Sequence, residues 1–210
     1  MIKIIKENKG VLIQALGLYL LQALIYFLSK FTPVKTHFIG NAIDYKIPFI
    51  AFFSIFYVGW FLEIIIVPMI LNKYKKSELK RYFLGVLLAI LICGVFYLFY
   101  PTTSDIRPDV HIKGFFTLVL YLVYFFDGPM ANLFPSMHCW MCFYYIYYML
   151  FNKEIDKRWR FSIIIFSILV ILSTMFIKQH VVIDVIAALV FSIICYTITR
   201  FAFRIDNKNK

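Results

Sequence analysis

Long apolar runs broken by short polar stretches set the pattern of this chain. The runs cover residues 11–29, 48–71, 82–100, 136–152, 159–178 and 180–203. A helix needs roughly 20 apolar residues, about 17 to 25, to cross the hydrocarbon core of a bilayer, so the pattern predicts six transmembrane helices. A further run, FFTLVLYLVYFF at 115–126, has only 12 residues. That is short for a span and suits an interfacial or re-entrant helix between the third and fourth spans. The predicted fold class is therefore all-α and integral to the membrane, a six-transmembrane-helix bundle with one short extra helix, forming a single domain over residues 1–210. The first run has the look of a signal peptide, but it is too long and no small-residue cleavage site follows, so it is expected to stay as the first span. Pro68, inside the second run, predicts a kink.

Composition supports the membrane class: 62% of residues are hydrophobic, 16% are charged and 20% are aromatic. Soluble domains hold about one quarter charged residues. The 22 Lys and Arg against 11 Asp and Glu do not point to nucleic acid, because no basic face of soluble size exists to carry it. They fit the flanks of membrane spans. With the N-terminus inside, the inner segments hold 16 of the Lys and Arg residues and the outer segments six. The inner set includes Lys3, Lys73, Lys80, Arg81, Lys153, Arg160, Arg200, Arg204, Lys208 and Lys210; the outer set is Lys30, Lys35, Lys46, Arg107, Lys113 and Lys178. The positive-inside rule then predicts a multi-pass cell-membrane protein with both termini cytoplasmic.

In this topology three polar clusters meet at the outer, extracytoplasmic level. In YPTTSDIRP, Arg107 offers a rigid fork between a span and a proline, suited to phosphate oxygens. In Pro135-Ser136-Met137-His138, proline fits a helix start. The Ser136 hydroxyl and the first amides, near Met137, can cradle an anion there, with His138 beside them as a proton carrier. In STMFIKQHVVID, His180 and Asp184 stand four apart and share a helix face. The carboxylate can fix the imidazole tautomer and leave the other nitrogen free to attack an electrophile. An acid inside an apolar run is itself a functional-site signal.

Order and spacing of these clusters resemble the type 2 phosphatidic acid phosphatase (lipid phosphate phosphatase) superfamily, whose pattern is K-x6-R-P, P-S-G-H and S-R-x5-H-x3-D on a six-helix membrane bundle. Here the blocks read Tyr100-x6-Arg107-Pro108, Pro135-Ser136-Met137-His138 and Ser173-Thr174-x5-His180-x3-Asp184. Tyr100 stands where the pattern has Lys, Met137 where it has Gly and Thr174 where it has Arg. Those departures are similar to the branch with inositol phosphorylceramide synthases, which includes phosphotransferases. The resemblance implies a lipid phosphate or diphosphate substrate, attacked by His180 to give a phosphohistidine. Asp184 would orient the nucleophile, and His138 would serve as general acid and then base. Arg107, Ser136 and the backbone at Met137 would hold the phosphoryl oxygens, with Lys178 as a replacement cation.

No cofactor or metal is expected, since two His without a third ligand make a poor zinc site. Cys139 and Cys142 read as packing one turn apart. Asp127 and Asn132 are candidates for a headgroup pocket, with surface-turn roles equally open, as for Asp44. Glu63 lies in the second span, where an ionised side chain costs about 2.5–3.5 kcal/mol on insertion scales, and a structural role is expected. A phosphotransferase and a non-catalytic phospholipid-binding or translocating protein stay as alternatives to the hydrolase. The sequence leaves the oligomeric state and the lipid tail open.

Overall fold

A computed structural model describes residues 2–208, with side chains over 6–203. Of the basic residues placed inside by charge counting, Lys3, Arg204 and Lys208 have no described side chain, and Lys210 lies outside the described residues. Among the described residues eight α-helices occur: α1 (Ile2–Ser29), α2 (Ala42–Lys46), α3 (Ser54–Tyr74), α4 (Leu79–Phe99), α5 (Phe115–Asp127), α6 (Met137–Phe151), α7 (Lys157–Phe176) and α8 (Val182–Lys208). Segments Lys6–Ser29, Ala51–Tyr74, Lys76–Phe99, Lys157–Phe176 and Val182–Phe203 are long and apolar enough to cross a membrane. They make this a multi-pass membrane protein.

The expected fourth span corresponds to α6, which has only 15 residues. At 1.5 Å per residue it is about 22 Å long, against a hydrocarbon core of about 30 Å. Its amino acids explain its place. Cys139, Trp140, Met141, Cys142, Tyr144, Tyr145, Tyr148 and Met149 are all buried, and a helix apolar on every side belongs at the centre of a bundle. It packs on α7 and α8, while α1 packs on α3 and α4, α3 on α7 and α4 on α8. Gly85 lets α4 approach α6 closely, because a Cβ there would collide with the Tyr144 hydroxyl.

Side-chain contacts divide the bundle into two ends. At one end Asn72 of α3 reaches Asn8 of α1 at 3.0 Å, Lys75 pairs with Glu154 after α6, and Arg81 of α4 meets Tyr196 of α8. Both the start of α1 and the end of α8 therefore lie there. At the other end Asn132 donates to Ser29 at 2.6 Å and Lys30 to the Asp127 carbonyl at 2.8 Å.

Two features of that second end were not expected from the sequence, a strand pair and a short helix. The chain after α1 and the chain after α4 run side by side as a two-residue parallel ribbon, β1 (His37–Phe38) with β2 (Thr102–Thr103), His37 opposite Thr102. These loop backbones have no helix to satisfy their amides and carbonyls, so they satisfy each other. The ribbon also fixes the approach to α6. Thr102 Oγ1 accepts from the Leu133 and Phe134 amides at 3.0 and 2.9 Å, and Thr103 Oγ1 donates to the Met130 carbonyl at 2.6 Å. The short α2 is the other addition, closed by a capping box in which Asn41 accepts from the Ile43 amide and Asp44 from the Asn41 amide.

Candidate active site

Ser136 caps α6: its side chain accepts from the Cys139 amide at 3.3 Å. The Met137 and His138 amides, first in the helix, have no helical acceptor. The residue before the cap is fixed as well, since the Pro135 carbonyl accepts from the Tyr97 hydroxyl at 2.9 Å. This rigid entry sets His138 on the first turn. Its ring lies 4.4 Å from the Tyr57 ring at an interplanar angle of 28°, and 4.2 Å from that of Trp60. Both aromatics come from one turn of α3. Among the described residues His138 makes no hydrogen bond.

His180 comes from the short link between α7 and α8. The Thr174 carbonyl accepts both the Gln179 amide at 2.8 Å and the His180 amide at 3.0 Å, which folds the link back over the end of α7. Lys178 takes a left-handed φ of 56° in this turn. The imidazole Nδ1 lies 3.2 Å from Asp184 Oδ2, which also accepts the Val181 amide at 3.0 Å. With its proton on Nδ1, the ring keeps Nε2 as a free lone pair. Asp184 is fully buried and its Oδ1 has no hydrogen-bond partner among the described residues. The His138 and His180 ring centroids are 6.1 Å apart, and the Ser136 amide points at the Asp184 carbonyl, 3.4 Å away. Two of the clusters expected to meet are thus joined directly.

Arg107 is the third contributor. Its guanidinium donates to the Gly128 carbonyl at 2.7 Å and to Gln179 Oε1, and lies 4.3 Å from the centre of the Tyr124 ring. Gln179 in turn donates to Asp127 Oδ2 at 2.8 Å. Burial raises the Asp127 pKa above the ordinary carboxyl range, against the pull of Arg107. Gln179 is therefore the bridge between the expected phosphate-binding Arg and the expected pocket residue Asp127. The sequence offered one signal for it, an amide wedged between Lys178 and His180, and no role was assigned to it. Tyr57 and Trp60 carried no signal beyond being aromatic in an apolar span.

Two expected residues have other partners. Lys178 is buried, and its ammonium donates to the carbonyls of Asp44 and Ile47, both at 2.6 Å. Burial lowers its pKa. Asp44 completes that joint: its carboxylate, nearly fully buried, accepts the Val182 amide at 2.8 Å at the start of α8. Asn132 binds Ser29 and takes a φ of 56°, which places it in the turn before α6. The departures from the motif also have clear positions. Tyr100 stacks on His37 at 4.0 Å, Thr174 turns its hydroxyl onto the Ile171 carbonyl at 2.7 Å, and Met137 is buried. None of the three brings a charge to the site.

A family model described as the PAP2 superfamily matches residues 78–209. No curated protein and no solved structure matches the chain. The match covers more than half of the sequence and all three clusters, and the chain belongs to this superfamily, whose members are generally phosphatases.

Proposed function

We propose, on the premise of PAP2 membership, that the protein is a membrane lipid phosphatase that hydrolyses a lipid phosphate or diphosphate through a phosphohistidine. The observation that carries this reading is the His180–Asp184 pair, with one ring nitrogen fixed on a buried carboxylate and the second histidine one phosphoryl group's width away. His180 Nε2 donates its lone pair to phosphorus, the bond from phosphorus to the lipid oxygen breaks, and His138 gives that oxygen its proton. Neutral His138 then takes a proton from water, the resulting hydroxide oxygen bonds to phosphorus, and the P–N bond returns its electrons to His180. Asp184 offsets the positive charge on the His180 ring while the P–N bond exists. Arg107, Ser136 and the free amides of Met137 and His138 face the phosphoryl oxygens, and Lys178 acts by fixing the link that carries His180. Asp127 and Asn132 shape the headgroup end of the pocket, Asp127 through Gln179.

The segment before the matched region belongs to the same working unit. Tyr57, Trp60 and Asp44 lie outside residues 78–209, yet hold His138 and the start of α8. With the basic end of the bundle on the cytoplasmic side, the site faces the outer leaflet of the cell membrane. The short α6 would start below the bilayer edge and bring the chemistry to the level of lipid phosphates, while α5 lies at the interface.

A second reading within the superfamily rests on charge. Tyr100 and Thr174 stand at two positions where the motif has cations and supply none. A phosphomonoester carries about −1.5 to −2 at neutral pH, whereas a phosphodiester carries a single negative charge. A cation-poor site favours the diester, and so favours headgroup transfer between lipids, as in the branch with inositol phosphorylceramide synthases. The deciding experiment measures phosphate release by purified protein in detergent with EDTA, across lipid monophosphates and diphosphates. Release that vanishes in His180→Ala supports the hydrolase. No release, but His180-dependent transfer from a phosphodiester lipid to an alcohol, replaces it with the transferase. If neither occurs and lipid binding survives His180→Ala, the protein is a binder and the catalytic reading is wrong.

A further inference from the structure

The end of the bundle farthest from His180 holds a second polar recess that the chemistry above does not use. It is an open pocket of about 200 Å³ lined by Glu78, Arg81, Phe151, Asn152, Tyr196, Arg200 and Phe203. These residues come from around the start of α4, the end of α6 and the second half of α8, so nearly the whole length of α6, about 22 Å, separates the pocket from His138.

Arg81 is its buried element, only 5% exposed. One guanidinium nitrogen pairs with Glu78 and lies 3.4 Å from the Tyr196 hydroxyl, while the guanidinium carbon is 4.9 Å from the Tyr148 ring centre and 4.7 Å from that of Tyr196. The Nε–H is buried and has no acceptor among the described residues. The residue lines the recess, so an anion there would add a charge-assisted contact to its guanidinium. Arg200 stands across the pocket mouth, exposed, with its guanidinium 5.6 Å from the Phe151 ring centre. Among the described residues, two guanidinium groups against the single carboxylate of Glu78 leave the lining with a net positive charge. The nearby Lys75–Glu154 pair is already closed on itself.

We propose that this recess is a binding site for a phosphate group, held between Arg81 and Arg200 at the basic end of the bundle. Planar guanidinium forks match phosphate oxygens in pairs. The aromatic walls, Phe151, Tyr196 and Phe203, suit a group at the boundary between headgroups and hydrocarbon. The phosphate can come from an anionic phospholipid of that leaflet or from a free anion in solution.

The test is a thermal-unfolding titration of the full chain in detergent with phosphatidylglycerol, and separately with inorganic phosphate. It uses wild type, Arg200→Gln and, as a control at the other end, Lys113→Gln, a change at an exposed lysine. The expected result is a rise in Tm with phosphatidylglycerol whose half-saturating concentration increases at least about tenfold in Arg200→Gln, the loss of a charge-assisted bond, and stays unchanged in Lys113→Gln. The same Arg200-dependent rise with inorganic phosphate identifies a free anion as sufficient and also supports the site. A rise that is equal in wild type and Arg200→Gln, or no rise with either ligand, overturns it. Arg81→Gln should abolish the response; if that variant does not fold, Arg200→Gln still decides. Because the site lies apart from His180, its failure leaves the catalytic reading untouched.

Discussion

His180 and His138 sit with ring centroids 6.1 Å apart, and they are held by opposite means. His180 is anchored by polar bonds: Nδ1 on the Asp184 carboxylate, its amide on the Thr174 carbonyl, and the neighbouring turn tied to Asp44 through Lys178. His138 has no hydrogen bond among the described residues and is positioned by ring packing on Tyr57 and Trp60. The difference matches the tasks proposed for them. A nucleophile benefits from one fixed tautomer and a counter-charge for the cation it becomes. A group that gives and then takes a proton needs its nitrogens uncommitted, so aromatic faces hold the ring and leave both nitrogens open.

The sharpest way to break this comparison is to delete the anchored ring. His180→Ala should lower turnover by about 10⁴ or more, since the covalent route is gone, and no acid-labile phosphoenzyme should form with labelled substrate. A labelled enzyme that survives the change would move the nucleophile elsewhere. His138→Ala should cost about 10² to 10⁴, the usual worth of general acid–base help. With an aryl phosphate of low leaving-group pKa the first step needs little acid, so phosphoenzyme should accumulate in this variant and decay slowly. Equal loss on aryl and alkyl substrates, with no accumulation, would mean that His138 shapes the pocket rather than carrying protons.

Lys178 tests the other half of the comparison, the polar anchoring. Lys178→Met leaves the Asp44 and Ile47 carbonyls without their donor. Unpaired buried groups cost about 1–3 kcal/mol each, and at this chain length each kcal/mol lowers Tm by about 2–4 °C. The expected outcome is a fall in Tm of several degrees with kcat/KM reduced less than tenfold. A large loss of kcat/KM at unchanged Tm would return Lys178 to direct phosphate binding.

Much of the helical frame was readable because membrane helices are written as apolar length, and five of the expected spans reappear as helices of spanning length within a few residues. Length was also where α6 escaped the pattern. The apolar run 136–152 looked like a span, but Ser136 caps it and the helix stops at Phe151, so it has 15 residues. The candidate site was legible where chemistry is encoded by residue type at fixed spacing: His180 and Asp184 four apart do face each other. It was illegible where a common residue gains its role from tertiary contact. Gln179, Tyr57 and Trp60 have neighbours contributed by other helices, and nothing local marks them. Lys178 shows the reverse. A lone cation beside a nucleophile reads as a phosphate ligand, yet its left-handed turn points the ammonium at backbone carbonyls across the loop. The ribbon of β1 and β2 was invisible for a related reason, since two residues on each strand leave no periodicity.

The smallest expected effect concerns Glu63, which sits near His138 without touching it. Glu63 is 2% exposed on α3 and accepts from Ser167 at 2.7 Å and from the Cys142 thiol at 3.7 Å. Cys142 lies one helical turn from His138, and Trp60, which packs on the His138 ring, lies one turn from Glu63. A carboxyl so placed either ties α3 to α6 and α7 or feeds protons toward a histidine whose ring has no hydrogen bond among the described residues. Glu63→Gln separates the two, because the amide oxygen can still accept from Ser167 but cannot exchange a proton. If the group is structural, turnover should stay within about twofold, while Glu63→Leu, which strands the Ser167 hydroxyl, should cost about 1–3 kcal/mol of stability. A tenfold loss of turnover in Glu63→Gln at unchanged Tm would instead make Glu63 the proton source for His138. The contrast between the two histidines would then be one between a direct carboxylate and a relayed one.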